Sequence, residues 1–260
     1  MKLINFSIIA ATTAFLFSCK THQNIEVKHH NEKTHSVVHW DYTGANDPTH
    51  WSNITDEYLT CAGNSQSPIN IEKELSKKHT GHNNLQLNYA KSLLDILNNG
   101  HTEEFVISKG NSLVFNNKTY QLKQFHMHTL SEHTVNGDHF PLEIHFVNKA
   151  EDGTYAVLSI LLKEGKKSLF LDKYLAKFPK TEGEYKSDEI LDINSVIPNT
   201  EHYYHYKGSF TTPPCTEVVD WIILQDNPTA SKKQLTILHD LMHDNYRPIQ
   251  KLNDRVISFQ

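Results

Sequence analysis

The chain has 260 residues, of which 38% are hydrophobic and 21% charged, enough apolar material for one substantial core and one domain. Its formal charge of -5 at pH 7, a pI near 6.4 and the absence of any basic stripe exclude an electrostatic nucleic-acid binder. No internal repeat is visible, and the expected partners are small or neutral molecules.

The chain opens with Lys2, an apolar run from Ile8 to Phe17, and Leu16-Phe17-Ser18-Cys19, which resembles a bacterial lipobox. This predicts an export signal over 1–19 with Cys19 as the lipidated residue; the run is too short to span a bilayer comfortably. Residues 20–37 carry His22, His29, His30 and His35 among charged and amide side chains and read as a flexible tether. The folded domain is then expected over 38–260, exported to the bacterial cell envelope, either periplasmic or held to a membrane through Cys19. With Cys19 lipidated, Cys61 and Cys215 remain in an oxidising compartment, where a disulfide is expected. Closing a loop of roughly 150 residues stabilises a fold by about 4 to 5 kcal/mol in the chain-entropy picture. The alternative is two unrelated buried thiols.

From about Trp40 onward, short apolar runs are broken by Asn, Gly, Asp and Pro. Strands are predicted at Leu93 to Leu97, Phe105 to Ser108, Leu113 to Phe115, Tyr120 to His128, Leu142 to Asn148, Tyr155 to Leu162 and Val218 to Leu224. Helices are predicted near Ser168 to Phe178 and Ser231 to His243, each beginning at a Ser with apolar residues recurring at three and four. The fold class is therefore mainly β, with peripheral helices. The second helix holds His239-Asp240-Leu241-Met242-His243, an approximation of the His-Glu-x-x-His zinc-protease signature. Asp is one methylene shorter than the Glu that must reach a reacting water, and no third ligand is evident, so the protease reading is disfavoured.

The chemistry concentrates in two predicted strands, Gln124-Phe125-His126-Met127-His128 and Glu143-Ile144-His145. Period-two alternation puts the three histidines, and the residues two before His126 and His145, on one face. Three neutral imidazoles with an open fourth position suit a catalytic zinc. The His-x-His pair carries no weight alone, because 18 histidines in this chain give about one by chance. Gln124 and Glu143 add weight, since a ligating imidazole needs a partner on its other nitrogen. The alternative is a pair of half-buried strands with solvated histidines.

Collinear motifs extend this reading. Gln124-Phe125-His126-Met127-His128, Ser131-Glu132-His133-Thr134-Val135, Glu143-Ile144-His145-Phe146-Val147 and Gly208-Ser209-Phe210-Thr211-Thr212-Pro213-Pro214 resemble the alpha-class carbonic anhydrases in order and spacing. His39-Trp40-Asp41-Tyr42, Gln66-Ser67-Pro68-Ile69, Leu97-Asn98-Asn99-Gly100-His101 and Asn245-Tyr246-Arg247-Pro248 agree as well, so the resemblance covers about 38–260. It implies a single domain of mainly β (α+β) class, with a central, mostly antiparallel twisted sheet and short peripheral helices. The implied activity is zinc-dependent, reversible hydration of carbon dioxide to bicarbonate and a proton, by zinc-hydroxide attack and histidine-assisted proton release.

The resemblance also implies roles. His126, His128 and His145 are the Zn2+ ligands; Gln124, Glu143 and the Asn245 carbonyl orient them. Thr211, tied to Glu132, aims the hydroxide. Val147, Val157, Phe210, Thr212, Val219 and Trp221 form the substrate pocket, with Phe210 standing where Leu is usual. His101 is the proton shuttle, and Tyr42, Asn99 and Tyr206 order water along its path. Thr102 and Glu104 replace smaller or amide side chains. The implied partner is carbon dioxide or bicarbonate, with no nucleic acid and a membrane only through the lipid at Cys19; a homodimer is compatible with the sequence. The rivals are a non-catalytic zinc- or ligand-binding surface module of the same fold, and a zinc esterase or protease.

Overall fold

A computed structural model describes residues 39–79 and 85–260. The expected export signal, Cys19 and the tether lie outside the described residues. Thirteen strands form one large sheet: β1 (Lys77–Lys78), β2 (Gln86–Asn88), β3 (Lys91–Asn98), β4 (Glu103–Ile107), β5 (Ser112–Phe115), β6 (Lys118–His128), β7 (Leu142–Lys149), β8 (Tyr155–Glu164), β9 (Gly183–Asp192), β10 (Tyr203–Gly208), β11 (Val219–Leu224), β12 (Thr229–Ala230) and β13 (Ser258–Phe259). The spatial order is β9-β3-β4-β6-β7-β8-β11-β10-β13-β1, with β5 on β6, β2 on β5 and β12 on β8. Most neighbours are antiparallel; β8 meets β11 and β12 in parallel, as β13 meets β1.

Register explains why this sheet makes a site. Across β4, β6, β7 and β8, one row aligns Glu104, His126, His145 and Ser159, and the next aligns Val106, Gln124, Val147 and Val157. Directly opposed residues share a face, so these rows form one continuous wall. The intervening residues, including Phe105, Phe125, Met127, Ile144, Phe146 and Leu158, enter the main core on the other side. There Phe105 stacks on Phe125 with ring centroids 4.4 Å apart. Two helices, α1 (Leu169–Tyr174) and α2 (Lys232–Met242), contribute Phe170, Leu171, Tyr174, Leu235, Leu238 and Met242 to that core. Burial of such aliphatic and aromatic side chains contributes about 1.5 to 3 kcal/mol each.

The helices follow the predicted positions closely. Ser231 caps α2 in a capping box with Gln234, satisfying donors that the first helical turn leaves over. Gln234 also bonds Ser168 and Asp172, tying the two helix starts together. The predicted helix to Phe178 shortens to Tyr174 and ends in a 3-10 turn at Leu175–Lys177. His243 lies past the end of α2 with φ of 54°, so it and His239 do not form a helical i, i+4 pair. Neither belongs to a potential metal cluster among the described residues.

Cys61 and Cys215 are joined by a disulfide closing a separation of 154 residues, packed with Trp51 against Trp40 and Tyr42. Replacing both cysteines with serine is expected to lower unfolding free energy by about 2 to 5 kcal/mol. Urea denaturation of oxidised parent and variant measures this, and coincident curves would contradict it.

Candidate metal centre

His126, His128 and His145 converge, with ligand-capable nitrogens within 4.8 Å of one another. His128 and His145 are 1% exposed, which excludes solvated strand histidines. Each ring is held from outside by an acceptor. His126 Nδ1 donates to Gln124 Oε1 at 2.8 Å, His128 Nδ1 to the Asn245 carbonyl at 2.6 Å, and His145 Nε2 to Glu143 Oε1 at 2.7 Å. These bonds place a proton on each outer nitrogen, so each inner nitrogen carries a lone pair. The acceptor chemistry fits a tetrahedral, nitrogen-loving cation with one open corner. Two orphans add to the fit: His128 Nε2 and Glu132 Oε2 are buried without hydrogen-bond partners, 3.5 Å apart. Burial holds the imidazoles neutral, pushing His128 down to about 4 and His126 and His145 down as well.

Glu143 is the hub behind the rings. Its Oε1 accepts from His145, His133 Nδ1 and Ser159 Oγ at 2.6 to 2.7 Å, and its Oε2 from the His133 backbone N–H at 2.9 Å. Burial works to raise this carboxyl, but His133 and His145 outweigh it and hold the group well below the usual carboxylate range. Glu132 is set differently. Burial pushes it up to about 7, partly offset by His145, the Thr211 hydroxyl and the Arg247 backbone N–H, which donates to Oε1 at 2.8 Å.

Tyr206 is held from the far side of the histidines. Expected on a water path, it is 1% exposed, and its hydroxyl lies 2.6 Å from His133 Nε2 and 2.9 Å from Ser67 Oγ. It extends the Glu143–His133 chain to Ser67. Asn99 is also committed: its Oδ1 accepts from the backbone of His101 and Thr102, shaping a turn in which Gly100 has φ of 84°, the left-handed region glycine enters without penalty. That turn delivers His101, whose ring stacks on Trp40 at 3.9 Å with Nε2 3.2 Å from the Trp40 carbonyl. Tyr42 is 6.4 Å from the His101 ring.

The apolar wall comes from the same face. Val147, Val157, Val219 and Trp221 are buried in one cluster, with Phe210 packed against it. Phe210 meets the Tyr155 ring edge-on at 4.7 Å, and Trp221 donates to the Ser209 carbonyl. Thr211 is 5% exposed and Thr212 half-buried. Sequence reasoning assigned no role to His133, Ser159, Ser67 or Arg247. Arg247 is 1% exposed and donates to Gln66, Ser67 and Cys61; its signal was limited to its place in Asn245-Tyr246-Arg247-Pro248. Asn245 does more than its carbonyl: its side chain bonds the backbones of His101, Met127 and Thr129.

Sheet and site together place three histidines that could hold a metal ion, backed by carboxylates, beside an apolar wall. A family model described as eukaryotic-type carbonic anhydrase matches residues 46–260. A carbonic anhydrase of Pectobacterium atrosepticum is 38% identical, spanning 85% of this chain and 90% of its own. That of Neisseria gonorrhoeae is also 38% identical, over 85% and 87%. The solved alpha-carbonic anhydrase of Thermovibrio ammonificans, in complex with the inhibitor sulfanilamide, superposes with a TM-score of 0.82 at 38% identity, covering 85% of this chain and 99% of that one. The chain belongs to the alpha-class carbonic anhydrase family.

Proposed function

We propose that the domain catalyses reversible hydration of carbon dioxide to bicarbonate and a proton, with Zn2+ held by His126, His128 and His145. The observation that carries this is the set of three inward lone pairs, each fixed by an acceptor on the far side of its ring. Zinc in such a site lowers the pKa of ligated water to about 7, a magnitude whose reference case is carbonic anhydrase itself. Neutral ligands leave the cation its full charge.

The remaining residues position and exclude. Thr211, beside Glu132, orients the nucleophile through a hydroxyl that donates to the carboxylate. Val147, Val157, Val219 and Trp221 offer carbon dioxide an apolar surface, and Phe210 with Thr212 bounds it; the bulk of Phe210 narrows that space. His101, half-buried with its ring stacked on Trp40, accepts the proton and passes it to buffer. Export, with a lipid on Cys19, accords with the oxidised cysteine pair.

Stopped-flow hydration tests the reading: turnover is expected, abolished by a strong chelator and restored by added zinc. Zinc uptake without chelator-sensitive turnover would instead indicate a binding module. For the relay, His101→Ala is expected to slow turnover on the order of 100-fold, with recovery in added imidazole buffer. A slow variant that imidazole does not rescue removes His101 from the relay.

A further inference from the structure

Glu104 stands directly opposite His126 in the β4–β6 pairing, so its side chain shares the face of the three ligands. It is half-buried and makes no hydrogen bond or ion pair among the described residues. Burial raises its carboxyl pKa, with no charged neighbour contributing. The residues opposite it on the flanking strands are Leu97 and His126, and Thr102 and Val106 flank it on its own strand's face. His126 is thus its one titratable partner across the sheet. A partly desolvated carboxylate without a partner costs stability, and such local violations concentrate where function requires them.

Resting on the metal-centre reading, we infer that Glu104 is a specificity-determining residue whose negative charge beside the ligand wall opposes anions at the open metal corner. Carbon dioxide is neutral and enters without that opposition, whereas bicarbonate meets it and leaves faster. The same charge favours the cation and disfavours loss of a proton at the centre. Gln124, the neighbour in the next row, is neutral and cannot supply this field.

The test uses cobalt(II)-substituted protein and two readouts independent of turnover: the pH midpoint of its visible spectrum and the dissociation constant of iodide. Glu104→Gln is expected to lower the midpoint by about half to one unit and to tighten iodide about 3- to 10-fold, as loss of a unit charge several ångströms away in partly solvated surroundings implies. Glu104→Asp, which keeps the charge, is expected to stay near the parent. Midpoint and iodide affinity both unchanged in Glu104→Gln overturn the inference while leaving the metal centre standing, and so does Glu104→Asp behaving like Glu104→Gln. A parent that takes up no cobalt overturns both.

Discussion

His145→Ala is expected to abolish measurable carbon dioxide hydration and to weaken zinc binding roughly 100- to 1000-fold. The magnitude follows from structural zinc sites, where about 10 to 16 kcal/mol over four ligands gives about 2.5 to 4 kcal/mol for each, with about 1.4 kcal/mol per tenfold. The remaining pair, His126 and His128, leaves two coordination positions open and no longer defines a single reactive corner. His145 sits at 1% exposure with its ring 4.8 Å from Trp221, so truncation also opens a cavity and deprives Glu143 of one donor. Competition with a chelator of known affinity reads the metal loss directly, and stopped-flow reads turnover. Retention of stoichiometric zinc and parental turnover would remove His145 from the centre and with it the whole catalytic proposal.

The second large effect is on folding. Glu143 is 0% exposed and collects four donors from His133, His145 and Ser159. Glu143→Ala leaves those donors buried and unsatisfied, at about 1 to 3 kcal/mol for each group that finds no water. Partial rehydration of the cavity brings the expected net loss to about 3 to 5 kcal/mol, the range for breaking one side of a buried charged network. His145 also loses the acceptor that fixes its tautomer, so zinc affinity should fall a further 10- to 100-fold, a range set in part by carbonic anhydrase itself. Urea unfolding of metal-free protein checks the first number and zinc competition the second. Glu143→Gln keeps one carbonyl oxygen and should lie between parent and alanine; an alanine variant as stable as the parent contradicts the hub.

The sign of the pH dependence follows from the same carboxylate. Its folded pKa lies well below the ordinary value, so its stabilisation is complete above about pH 5 and is lost as pH falls through the folded value. The difference in unfolding free energy between parent and Glu143→Ala should therefore be largest near neutrality and shrink below about pH 4.5. The depressed ligand histidines act in the same direction in metal-free protein. Unfolded imidazoles take up protons as pH falls below about 6.5, while His128 in the fold resists until about 4, favouring the unfolded chain throughout that interval. Glu132, raised to about 7, works the other way between about 4.5 and 7.

Much of this was readable from periodicity. Alternation in Gln124–His128 and Glu143–His145 assigns five side chains to one face before any pairing is known, and the register places them in adjacent rows. The strands found by sequence are the ones with strong apolar alternation. β9 escaped because Gly183–Asp192 is an edge strand with exposed charged residues on it. β10 escaped because Tyr203–Gly208 is aromatic and polar on both faces. The long-range bonds were illegible for a different reason. Nothing local in Tyr206 says that its hydroxyl meets Ser67, 139 residues away, and the Asn245 carbonyl is one main-chain oxygen among many. Residue type tells what a group can bond; only the closed fold tells which bond it makes.

Arg247 is where durability and chemistry are joined. Its guanidinium donates to the carbonyl of Cys61 while its own backbone N–H donates to Glu132, so one residue spans the distance from the sulfur bridge to the carboxylate facing the histidines. The bridge that fastens a 154-residue separation therefore lies within one residue of the main-chain donor to a distant acid. The imidazole trio, by contrast, is set by strand register alone and stands apart from that bridge.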